Sequence, residues 1–147
     1  MKHMLLLAAL VLVGLAPSCK KETTPEPTPQ EHLIGKWQAT KALQGATDAL
    51  TVSATAKKDL EIEFTSDGKV VFTWQNYNLT NNPPTLIESE LKGVYSWNGD
   101  QITITVTAGA DSKTIVGSMV VTATTFVFTG TSGDIATFFS LIEADKI

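Results

Sequence analysis

From His32 to the C-terminus, apolar and polar side chains alternate with a period of two, and Val, Ile, Thr and aromatic residues are abundant. That period puts successive side chains on opposite faces of an extended chain, so the pattern predicts β-strands with one buried face. Clusters of Gly, Asn, Asp and Ser divide it into eight strands, at 35 to 43, 59 to 65, 69 to 77, 86 to 97, 100 to 107, 113 to 122, 125 to 131 and 135 to 143.

Two turns set the register. Ser66-Asp67-Gly68 reads as a three-residue hairpin loop with Gly68 left-handed, which pairs Phe64 with Val70. Leu60, Ile62, Phe64, Val70, Phe72 and Trp74 then share one face. Asn98-Gly99 reads as a two-residue turn pairing Trp97 with Asp100 and Tyr95 with Ile102. It places Ile87, Leu91, Tyr95, Trp97, Ile102, Ile104 and Val106 on one face and Glu88, Glu90, Lys92, Gln101, Thr103 and Thr105 on the other. The strands at 113 to 122 and 135 to 143 are apolar on both sides, and their facing stays open.

The second, fourth and sixth links are tight, whereas the first, residues 44 to 58, and the third, residues 78 to 85, are long. In an up-and-down barrel, alternate links lie at opposite ends, so one end is predicted to be closed by short turns and the other rimmed by loops. The expected fold is all-β, an eight-stranded up-and-down antiparallel barrel, whose interior is filled by side chains or holds one small ligand.

The first thirty residues do not alternate. Lys2 and His3 precede an apolar run of about 13 residues, the length of a signal-peptide core and short of the roughly 20 a membrane-spanning helix needs. Ala16-Pro17-Ser18-Cys19 resembles a relaxed lipobox of bacterial lipoproteins, which implies that Cys19 is lipidated and becomes the mature N-terminus. An ordinary secretory signal with an incidental cysteine is the alternative. Residues 19 to 30 are polar, with prolines at every second position in "PEPTP", and read as an extended Pro-rich tether. The organisation is therefore a signal peptide at 1 to 18, a disordered tether at 19 to 30 and a barrel at 31 to 147. Lys20 stands where an Asp can retain lipoproteins in the inner membrane, which points to the outer membrane, with its periplasmic and surface faces both open.

Gly35-Lys36-Trp37, on the first strand after a short polar segment able to form a helical turn, resembles the Gly-x-Trp of lipocalins. "LEIEFTSDGKVVF" and "LKGVYSWNGDQITI" are similar to the small lipocalin-like lipoprotein domains of Gram-negative bacteria. The resemblance implies a barrel plugged at one end by a helix, and binding of small hydrophobic ligands. Typical lipocalins also carry a late Arg packed across the Trp; this chain contains no arginine.

Charge and residue chemistry narrow the function. The net charge of −4 opposes a nucleic-acid partner, and with no guanidinium, bidentate capture of phosphate or carboxylate is absent. The single cysteine forms no intrachain disulfide, so the core alone must stabilise the barrel. His3 belongs to the signal and His32 stands at the boundary of the tether, leaving the strands no base at neutral pH and no His/Cys metal site, and no catalytic residue or cofactor is expected. The pairs Glu61/Glu63 and Glu88/Glu90 fall on the polar face, where solvated carboxylates belong.

The candidate ligand-binding residues are the interior aromatics Trp37, Phe64, Phe72, Trp74, Tyr95, Trp97, Phe126 and Phe128, with Tyr95 and Ser89 as polar groups. Trp74 and Tyr77 lead into the Asn-Pro-rich loop and are the candidates for the mouth. The expected protein is a membrane-anchored envelope lipoprotein whose barrel binds a small hydrophobic ligand. The alternative is a solid barrel that binds a protein or glycan through its rim loops at 44 to 58 and 78 to 85.

Overall fold

The alternating segments form one antiparallel sheet closed on itself. The computed structural model describes residues 25–51, 56–99, 101–134 and 137–147. A short helix, α1 (Pro29–Leu33), precedes β1 (Gly35–Gln44), the two-residue β2 (Thr47–Asp48), β3 (Ala56–Phe64), β4 (Lys69–Asn78) and β5 (Thr85–Asn98). The chain continues through β6 (Gln101–Ala108), β7 (Asp111–Val121), β8 (Thr125–Gly133) and β9 (Leu141–Lys146). From β3 to β9 each strand pairs with the next, β1 pairs with both β3 and β9, and β2 only folds back on the end of β1. The result is the expected eight-stranded barrel. Residues 1 to 18, read as a signal peptide, and Cys19 lie outside the described residues.

Hairpin chemistry places the strands. Thr65 and Lys69 close the loop of residues 66 to 68, with Gly68 at φ 80°, and Phe64 pairs with Val70 as expected. At the β5–β6 turn Trp97 pairs with Ile102 and Asn98 with Gln101, two residues from the expected register. Gly99, at φ 61°, is the first of the two turn residues rather than the second. A slip of two residues preserves the side-chain alternation, so the predicted faces survive.

Those faces make the core. Leu60, Ile62, Phe64, Val70 and Phe72 are buried from β3 and β4, and Ile102, Ile104 and Val106 from β6. β7 resolves its open facing through Ile115 and Met119, which are buried, while Val120 is exposed. Ile87 departs from expectation, being 60% exposed. The pairing of β5 with β6 begins only at Lys92, so the outer half of β5 is bound to β4 alone and projects past the rim.

The last strand is also corrected. It was expected at 135 to 143, but β9 runs from Leu141 to Lys146, and Phe138 and Phe139 lie before it, both buried. Consecutive buried aromatics cannot both face inward from a regular strand, and the chain turns there instead.

α1 covers one end. Thr28 caps it reciprocally with Glu31, and Pro29 and Gln30, expected in the tether, form its first residues. The bond from the Thr28 backbone lowers the Glu31 pKa. Leu33 is fully buried beneath the barrel, and its carbonyl accepts the Trp37 indole N–H at 2.7 Å. The turns after β3, β5 and β7 share this closed end, whereas the links after β2, β4 and β8 leave from the other. The fifth link, at 109 to 110, is tight despite lying at the open end.

Candidate functional site

The interior of the barrel is largely aromatic, and its packing decides where a ligand fits. At the closed end Trp37 stands edge-on to Phe126 at 5.1 Å, and Phe126 to Phe64 at 5.8 Å. Phe64 in turn meets Tyr95 at 5.1 Å. The Tyr95 hydroxyl donates to the Thr65 carbonyl at 2.8 Å, and burial, then the nearby Asp67 charge, pushes its pKa up. Phe128 is fully buried, as are Trp37 and Phe72. These side chains are buried against one another and fill the base.

The Lys146 ammonium lies 5.0 Å from the centre of the Trp37 ring and donates to the His32 carbonyl at 2.9 Å. A lysine from β9 thus lies over the Trp37 ring, in a chain that contains no arginine. It binds the ring electrostatically and ties the last strand to α1.

Space opens at the other end. A cavity of about 220 Å³ is lined by Trp74, Leu91, Val106, Ala108 and Phe138 on its apolar side and by Gln44, Asp111 and Lys113 on its polar side. Val106 pairs with Lys113 and Ala108 with Asp111, so the two charged residues continue the inward row that includes Ile115 and Met119. The Lys113 ammonium makes one long bond, 3.4 Å, to the Thr137 carbonyl. Trp74 stacks on Phe139 at 5.8 Å and turns its remaining surface to the cavity. An apolar pocket with a few convergent polar groups is the usual form of a small-molecule site.

Of the eight aromatics expected to bind ligand, Trp74 lines this cavity. Trp37, Phe64, Phe72, Phe126 and Phe128 are core, and Tyr95 belongs to the closed end, not to the mouth. Trp97 lies on the closed-end side, donating its indole N–H to Gly99 and lining a groove with Pro29 and Val121. Ser89 is opposite Trp74 but exposed, and Tyr77 occupies the other face of β4, donating to Gln75 at 3.1 Å. Gln44, Asp111, Lys113 and Phe138 were not expected. A charged pair with i, i+2 spacing that continues an apolar row was the available signal, obscured because Val116 and Val120 made the other face of β7 apolar too.

The acidic pairs lie outside. Lys36 binds Glu61 at 2.8 Å and approaches Glu63 at 4.0 Å, Lys92 binds Glu90 at 2.9 Å, and Gln75 binds Glu88 at 3.0 Å. The bond and charge of Glu61 raise the Lys36 pKa. Among the described residues no group of three His, Cys, Asp or Glu side chains could hold a metal ion, and no helix is long and apolar enough to cross a membrane.

A closed antiparallel barrel, plugged by a helix under a first-strand tryptophan and open at the opposite pole, defines a lipocalin-like protein. The chain belongs to the lipocalin-like domain family, whose model matches residues 33–128. No curated protein matches it significantly.

Proposed function

We propose that this protein is an outer-membrane lipoprotein, anchored through Cys19, whose barrel binds a small hydrophobic ligand at its mouth and does not catalyse a reaction. The mouth cavity of about 220 Å³, apolar on one side and polar on the other, carries the binding part of this reading. Support for the anchor comes from the lipobox-like Ala16-Pro17-Ser18-Cys19 and the prolines behind it. Binding without catalysis accords with His32 standing on α1, away from the mouth, and with acidic pairs spent on surface contacts. The negative net charge argues against nucleic acid as a partner.

The tether joins the barrel at α1, opposite the mouth. A ligand would therefore enter from the aqueous side, with the tether adding a reach of about 30 Å.

The second reading is an interaction module. It is favoured by the filled base and by Leu79, Leu86 and Ile87, exposed on the projecting β4–β5 hairpin. Native mass spectrometry of protein recovered from its own membrane separates the two. The ligand-binding lipoprotein shows acylation at Cys19 together with a small noncovalent mass. An unacylated chain contradicts the anchor, and an acylated chain that never carries a small mass supports the interaction module.

A further inference from the structure

One side of the cavity is bounded by aromatic rings. Phe138 and Phe139 enter the barrel between β8 and β9, 4.5 Å apart, with Phe138 forming part of the cavity wall. Phe138 is edge-on to Phe72 at 5.3 Å, and Phe139 stacks on Phe72 at 5.7 Å and on Trp74 at 5.8 Å. Beyond them, the aromatic core continues to α1 through Phe64, Phe126 and Trp37.

This floor is pinned on both sides. Ser140 donates its backbone N–H to Leu43 at 2.8 Å and its hydroxyl to Gly45 at 2.8 Å, while its carbonyl accepts from Gly130 at 2.9 Å. Upstream, the Phe138 N–H donates to the Asp134 carbonyl at 2.8 Å, and Asp134 exchanges two bonds of 2.8 Å with Thr114. Strand-to-strand bonds on either side make Phe138 and Phe139 a fixed partition. The family match ends at residue 128, before this segment, so the partition belongs to the part of the chain outside the match.

We infer that Phe138 and Phe139 set the depth of the ligand site, so that its ligand is a compact amphiphile rather than a long-chain lipid. Its apolar end rests against Trp74 and Phe138, and its polar end among Gln44, Asp111 and Lys113. At protein packing density a volume of about 220 Å³ holds about ten non-hydrogen atoms, and it falls below the roughly 300 Å³ at which larger ligands are enclosed. Octanoate fits that limit and hexadecanoate exceeds it by about a factor of two. The inference rests on the mouth being a binding site.

Calorimetric titration of the full chain carrying Cys19→Ala, free of its own acyl chains, with n-alkanoates from hexanoate to hexadecanoate tests both. Affinity should rise about fourfold per methylene up to octanoate, the gain expected for burying each group, and then level off. Phe138→Leu, which keeps an apolar side chain, and Phe138→Ala should each move that break to longer chains and raise dodecanoate affinity about tenfold or more. An uninterrupted fourfold rise through hexadecanoate in the unmodified floor would overturn the depth limit and leave the binding site standing. Absence of saturable binding at every length would overturn the binding site itself.

Discussion

Replacing Trp37 with alanine is expected to destabilise the barrel by about 4 kcal/mol, the range for emptying a large buried aromatic site. The indole is fully buried, meets Phe126 edge-on at 5.1 Å, lies beneath the Lys146 ammonium and donates to the Leu33 carbonyl. Its removal opens a cavity where the helix, the first strand and the last strand meet, and leaves a buried carbonyl without its donor. Trp37→Phe should cost about half as much, because the ring contacts remain while the hydrogen bond is lost. Urea denaturation followed by far-ultraviolet circular dichroism measures both. A loss below about 1 kcal/mol for the alanine variant would mean that the base of the barrel does not rest on Trp37.

The second large effect comes from the smallest side chain. A Cβ added at Gly117 would lie 2.3 Å from the Thr129 carbonyl oxygen and 2.6 Å from the Phe128 ring. One obstacle is backbone of the paired strand β8 and the other a fully buried aromatic, so neither yields without moving the sheet. Gly117→Ala is expected to cost about 3 kcal/mol, the upper part of the range for overpacking. Gly99 is the control, since a Cβ there meets nothing within 4 Å and only its positive φ of 61° opposes a side chain. Gly99→Ala should cost about 1 kcal/mol. Equal losses in the two variants, measured by the same denaturation, would refute the close approach of β7 to β8 at Gly117.

The barrel was legible where one face of each strand is apolar and the other is not. β3 alternates Leu60, Ile62 and Phe64 with Glu61 and Glu63, and a slip of one residue would bury the carboxylates. The β5–β6 hairpin was misplaced by two residues because such a slip leaves every side chain on its own face, and only turn geometry distinguishes the two registers. The mouth was hidden for a different reason. Asp111 and Lys113 open β7, a strand with Val116 and Val120 on its outer face, so hydrophobicity could not tell inside from outside. Phe138 and Phe139 are drawn into the barrel by long-range hydrogen bonds from Ser140 and Asp134, partners that local pattern does not reveal. Trp74 was the part of the site that alternation did find, since it continues the row of Phe72 and Val70 toward the open end.

The same residue offers the most direct test of ligand binding at the mouth. The chain has three tryptophans, Trp37 in the base, Trp74 at the cavity and Trp97 on the closed-end side, and each contributes one indole N–H resonance. In a nitrogen–proton correlation spectrum recorded through a titration with octanoate, the Trp74 signal should shift to saturation while those of Trp37 and Trp97 stay in place. A shift confined to Trp97 would put the ligand in the groove beside α1, and three unmoved signals at saturating octanoate would contradict binding at the mouth.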